Sequence, residues 1–164
     1  MSQPNTTKVN NLRRLSQLLD NAIPIPGTGY RIGLDPILGL IPGGGDTVAG
    51  ALGAYIIIEA ARMGLPRKVV GEMVGNIIFD SLVGIIPVLG DLFDVAWKAN
   101  VRNIALLEKN LHITPKTQKS GLGSAEARSD RLFLIGLTLL LALIVIGFAT
   151  LTVILIRWLW NVIN

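Results

Sequence analysis

Residues 35–46 read DPILGLIPGGGD, and residues 80–91 read DSLVGIIPVLGD. Six of the twelve positions coincide at a constant offset of 45: Asp35/Asp80, Gly39/Gly84, Ile41/Ile86, Pro42/Pro87, Gly45/Gly90 and Asp46/Asp91. Three more exchange one aliphatic residue for another. Self-similarity at a fixed spacing marks an internal repeat. Each copy separates two helix-compatible stretches. RRLSQLLDNA precedes the first copy, and TVAGALGAYIIIEAARMG follows it, ending at Gly64 as a helix C′ glycine would. LPRKVVGEMVGNIIF, opened by Pro66, precedes the second, and LFDVAWKANVRNIALLEKNL follows it. In this last stretch Leu92, Val95, Ala96, Ala99, Ile104, Leu107 and Leu111 keep helical spacing, with Asp94, Lys98 and Arg102 as an i, i+4 ladder. The pattern predicts an all-α fold of two helix–broken-turn–helix repeats, followed by a linker and a single C-terminal transmembrane helix.

The repeated motif has a structural reading and two chemical ones. In the structural reading Asp46 and Asp91 are N-caps, Gly45 and Gly90 supply unusual backbone angles, and Pro42 and Pro87 end a short turn. Asp35, before Pro36, suits a cap as well. In the chemical readings, four carboxylates recurring with symmetry around broken helices form an ion or proton path, or a site for calcium or magnesium. Glu72, Asn76 and Asp80, spaced i, i+4, i+8, add a polar stripe on one helical face. These alternatives stay open at the level of sequence.

The last apolar run decides the localisation. Residues 132–156, LFLIGLTLLLALIVIGFATLTVILI, hold no charge and would reach about 37 Å as a helix, against about 30 Å of hydrocarbon. We place the transmembrane helix at 132–157. Lys116, Lys119, Arg128 and Arg131 precede it and Arg157 alone follows, so the N-terminal domain is expected to be cytoplasmic. Trp158 and Trp160 fall where an aromatic belt belongs. Residues 112–131, rich in Ser, Thr, Gly and charge, read as a flexible linker. Residues 1–14 form a tail or helix start, without the apolar core of a signal peptide. The repeat domain is 15–111. Its uncharged runs are too short to span, which suggests a domain lying on or partly in the cytoplasmic leaflet.

Composition narrows the function. Of 164 residues, 51% are hydrophobic and 16% charged, and there is no cysteine. Disulfide scaffolds, zinc ribbons and cysteine nucleophiles are thereby excluded. The single histidine, His112, reads as a surface residue at a helix end, and Ser16 and Ser81 have no histidine partner for a triad. The glycine-rich IPGGGD has no following Lys-Ser or Lys-Thr, and Asp46 would repel a phosphate. The net charge of +4 lies mostly in the flanks. Residues 31–111 carry seven basic and eight acidic residues, so no nucleic-acid partner is expected.

The stretch from LLDNAIPIPGTGYRIG through the two Pro-x-x-Gly-Asp turns, the GLP step at 64–66 and the KANVRNIALLEKNL ending resembles the membrane-associated bacterial family called domain of unknown function 4112. The resemblance covers about Leu15 to Leu111 and implies that Asp35, Asp46, Asp80, Asp91, Asp94, Asn100 and Asn103 belong to the family pattern. It also implies a plasma or thylakoid membrane if the source is a cyanobacterium. It transfers no catalytic residue. The expected function is therefore a non-enzymatic, membrane-anchored helical protein with no cofactor, acting by self-association or as a scaffold or adaptor. Its expected partners are the lipid membrane and either further copies of the chain or a membrane protein. The alternative is a small ion-binding or ion-translocating oligomer using the repeated aspartates.

Overall fold

A computed structural model describes residues 3–29, 31–34, 38, 45–84, 98–111 and 124–163. Among these, α1 (Gln3–Asn21) leads into a two-residue hairpin, β1 (Ile23–Pro24) with β2 (Arg31–Ile32). Then come α2 (Gly45–Arg62), α3 (Arg67–Gly84), α4 (Ala99–Leu111) and α5 (Ser124–Ile163). The class is all-α, as the repeat predicts. Both motif copies fall largely outside the described residues, and so does the linker before Ser124.

Helix α1 is amphipathic in the ordinary way: Val9, Leu12, Ser16 and Leu19 are buried, while Arg13, Arg14 and Gln17 face out. It ends in the hairpin, where β1 and β2 pair antiparallel with Ile23 opposite Ile32. The connecting Ile25–Thr28 stretch has the chemistry of a type II turn: Pro26 second, Gly27 third at φ 77°, and Thr28 N donating to Ile25 O at 3.2 Å. Gly33 then passes so close to α1 that a Cβ there would lie 1.5 Å from Leu19 O. Leu34 N donates to Leu18 O at 3.0 Å, which fixes the chain against the end of α1.

The α2–α3 joint follows the sequence reading. Gly64 adopts φ 87°, its N–H reaches Ala61 O at 3.0 Å, and Leu65 N reaches Ala60 O at 3.4 Å. This pair of bonds is a Schellman motif, sealed by the buried contact of Leu65 with Ala60. Pro66 follows and its carbonyl accepts from Val70 N, so α3 starts at once in the opposite direction.

Helix α2 is the central helix and packs on α1, α3, α4 and α5. Its Ile56, Ile57 and Ala60 are fully buried, with Leu19, Val70, Met73, Leu107 and Leu141 around them. Salt bridges fasten the surface: Lys8 and Arg62 to Glu59 at 3.4 and 2.7 Å, and Arg13 to Glu108 at 2.7 Å.

Two sequence expectations change. Lys98, directly before the helix that starts at Ala99, has φ 50°, so the helix does not run on through it; Lys98 donates from Nζ to Asn21 Oδ1, and Asp94 of the expected ladder lies outside the described residues. Residues 124–131, read as linker, are the first two turns of α5. They are held by Arg67 on α3, which donates to Ser129 Oγ at 3.0 Å, pairs with Asp130 at 3.8 Å and stacks 4.7 Å above the Phe133 ring. Among the described residues, α5 is the one helix long and apolar enough to cross a membrane, over Arg128–Val162. It is not a free-standing rod: Leu137 and Leu141 are buried in the core, and Val145 lies against Gly50 of α2.

Candidate functional site

The predicted motif residues are only partly visible. Asp35, Gly39, Pro42, Pro87, Gly90, Asp91 and Asp94 lie outside the described residues. Helix α2 is described from Gly45, so Asp46 stands in its first turn. Gly84 is the last residue of α3. On the predicted stripe, Glu72 is exposed and Asp80 half-buried, and Asn76 reaches inward. Among the described residues no three His, Cys, Asp or Glu side chains converge as metal ligands would.

What the structure does assemble is a buried polar cluster between α1, α3 and α4. Its centre is Asp20, in the last turn of α1. An acid there opposes the dipole of its own helix. It is placed instead at the N-terminus of α4, where Oδ2 accepts from Val101 N and Oδ1 from Asn100 Nδ2, each at 2.8 Å. Asp20 thus caps a helix 80 residues away in sequence. Burial pushes the Asp20 carboxyl above its ordinary range; the hydrogen bonds from Asn100 and Val101 and the charge of Lys98 only partly offset this.

One turn along α4, Asn103 is completely buried. Its Nδ2 donates to Met73 O at 3.1 Å and its Oδ1 accepts from Asn76 Nδ2 at 2.8 Å. The two asparagines of the KANVRN segment therefore bind in opposite directions, Asn100 to α1 and Asn103 to α3. Gly53 of α2 makes room for the first: a Cβ there would lie 2.9 Å from Asn100 Oδ1 and 3.0 Å from Ile77 Cδ1. Polar groups in so apolar a core are costly unless satisfied; the bonds of Asp20 and Asn103 favour one arrangement of the helices, while Asn100 Oδ1, facing Gly53, accepts no hydrogen bond among the described residues.

The second polar site, Glu59, is nearly buried between α1 and α2. Burial raises its carboxyl, but the hydrogen bonds and charges of Arg62 and Lys8 outweigh that, and the group stays below its ordinary range. Ser16, buried near Asp20 in sequence, donates Oγ to Arg13 O at 2.9 Å within its own helix.

Sequence reasoning singled out Asn76, Asn100 and Asn103 but not Asp20. The signal was present: an acid at the end of a helix, directly before Asn and Ala, is misplaced unless it serves another element.

The features together define a class, an all-α bundle locked by a buried Asp–Asn cluster and docked on a long apolar helix. The chain belongs to the family described as Domain of unknown function (DUF4112), whose sequence model matches residues 8–111. The match contains the whole cluster, ends with α4 and leaves α5 outside. No curated protein and no solved structure matches the chain.

Proposed function

We propose that the protein is a membrane-anchored, non-enzymatic helical module that acts by self-association or by holding a partner at the membrane. The observation that carries this reading is the set of large apolar side chains that the bundle leaves exposed. Val48 and Tyr55 on α2, and Phe79 and Leu82 on α3, are all more than 40% exposed. Single exposed apolar residues need no explanation, but four on two adjoining helices favour an interaction role. The positive flank before Leu132 supports a cytoplasmic bundle. Purification of the full chain in mild detergent, followed by mass measurement and crosslinking in cells, tests the proposal. A monomer that crosslinks to nothing would refute it.

The buried polar line Asp20–Asn100 and Asn103–Asn76 favours a second reading, an ion-binding or ion-translocating oligomer in which it joins the repeated aspartates. Its test is flux into liposomes, wild type against the Asp35→Asn, Asp80→Asn double variant. Equal flux, or none from either, removes it.

A further inference from the structure

The residues that dock α5 on α2 are the same ones a bilayer crossing requires. Arg67, just past the end of α2, touches Ser129 and Phe133, whereas Gly50, near the start of α2, lies against Val145. The two helices therefore run antiparallel, and the contact at Gly50 falls about 20 Å below Leu132 along α5. Beyond Val145 only residues 146–156 of the uncharged run remain. They reach about 16 Å, half of what the hydrocarbon requires. A spanning α5 must therefore take its docked part into the acyl chains as well.

The bundle cannot follow while it holds α5. Gly53, a turn further along α2, is level with Ala142, close to the middle of a spanning α5. A Cβ at Gly53 would lie 2.9 Å from Asn100 Oδ1, so the Asp20–Asn100 pair sits at that depth. Lys98 and Arg31 bind the neighbouring Asn21, and both Arg31 and Arg102 are exposed. A docked bundle would set these charges about midway through the bilayer against acyl chains, which is a heavy cost.

The docked place is also incomplete. It buries Leu137 and Leu141, but Leu132, Leu139, Leu143 and Ile146 of the same helix stay more than 60% exposed. A bilayer covers every face of α5 and replaces the contacts of Leu137 and Leu141 almost like for like. Lipid therefore wins α5 where it is present, and α2 holds it where lipid is absent. We propose that α2 is an autoinhibitory seat for the anchor: α5 must leave α2 before it crosses a bilayer, and the contact holds insertion back. The proposal rests on the reading that α5 spans.

The chain has no cysteine, so an introduced pair reports alone. A Cβ at Gly50 would stand 3.9 Å from Val145 Cβ, within disulfide range. Full-length protein with Gly50→Cys, Val145→Cys and a C-terminal peptide tag is added to sealed phosphatidylcholine–phosphatidylglycerol vesicles. Reduced, it should insert α5 and shield the tag from external protease, as tagged wild type should with or without oxidant. Oxidised, it should bridge, leave the tag open to protease, and gain protection once reductant is added. Gly50→Leu, which wedges the two helices apart, should protect its tag faster than wild type. A bridged chain with a protected tag, a pair that never bridges, or Gly50→Leu no faster than wild type overturns the proposal; protection of the reduced chain leaves the spanning reading standing. A tag open to protease in every sample overturns both.

Discussion

Replacing Asp20 with alanine should damage the fold more than its position at a helix end suggests. The carboxylate holds a free amide of the first turn of α4, Val101 N, and the side-chain amide of Asn100, both at 2.8 Å. Loss of a helix cap costs about 1 kcal/mol. A buried donor deprived of its acceptor, here Asn100 Nδ2, costs about 1–3 kcal/mol more. The sum, about 3 kcal/mol, is a large part of the 5–15 kcal/mol that stabilises a typical domain. For a chain of this size it corresponds to a fall in Tm of about 6–12 °C. Circular dichroism at 222 nm during thermal and denaturant unfolding in mild detergent would read it. Asn100→Ala removes the donor, so the double variant should cost about 1 kcal/mol or more less than the sum of the two single changes. Strict additivity, or a loss below about 0.5 kcal/mol for Asp20→Ala, the range of an ordinary surface change, would refute the cap.

The other expectations concern close approach and charge. Gly33→Ala sets a Cβ against the backbone of Leu19 and should destabilise by about 2–3 kcal/mol; Gly29→Ala, with open space around it, should be nearly silent in the same unfolding assay. Asn103→Ala removes two buried hydrogen bonds and should cost about 2–3 kcal/mol by denaturant titration. The two buried acids should act oppositely on pH. Asp20 is raised by burial, so its contribution is full below about 3.8 and is lost as pH rises through its folded value. Glu59 is lowered by its cations, so its contribution is present above about 4.5 and is lost as pH falls through its folded value. Stability curves of Asp20→Asn and Glu59→Gln against wild type should therefore diverge from it at opposite ends of the acid range, and parallel curves would contradict the assignment.

Most of the helical layout was legible because its signals are local. Gly64 and Pro66 end one helix and begin the next by their own backbone chemistry, and the α5 run is apolar on every face. The hairpin of Ile23–Pro24 with Arg31–Ile32 went unread, since two-residue strands leave no period in the sequence. The start of α4 was misread for a different reason. Apolar spacing continues from Leu92 through Leu111, so periodicity offers no break; the break comes from Lys98 at φ 50° and from a carboxylate on a distant helix. The same distance hid the cluster. Asn100 and Asn103 stood out as part of a pattern, but that they bind opposite neighbours depends on the antiparallel stacking of α1, α4 and α3.

The cap supplied by Asp20 also sets an order of events during synthesis. It joins residue 20 to residue 101, and Leu107 and Glu108 of the same helix also bind the bundle, so the fold closes only with α4, whose last residue precedes the uncharged run at Leu132 by 21 residues. At about 5–20 residues per second that interval lasts roughly 1–4 s. Helical bundles close in microseconds to milliseconds. Closure of the bundle is thus fast compared with synthesis of its apolar helix. The α2 surface against which α5 packs lies within the same chain, so an apolar, aggregation-prone tail has a seat close at hand as it is made.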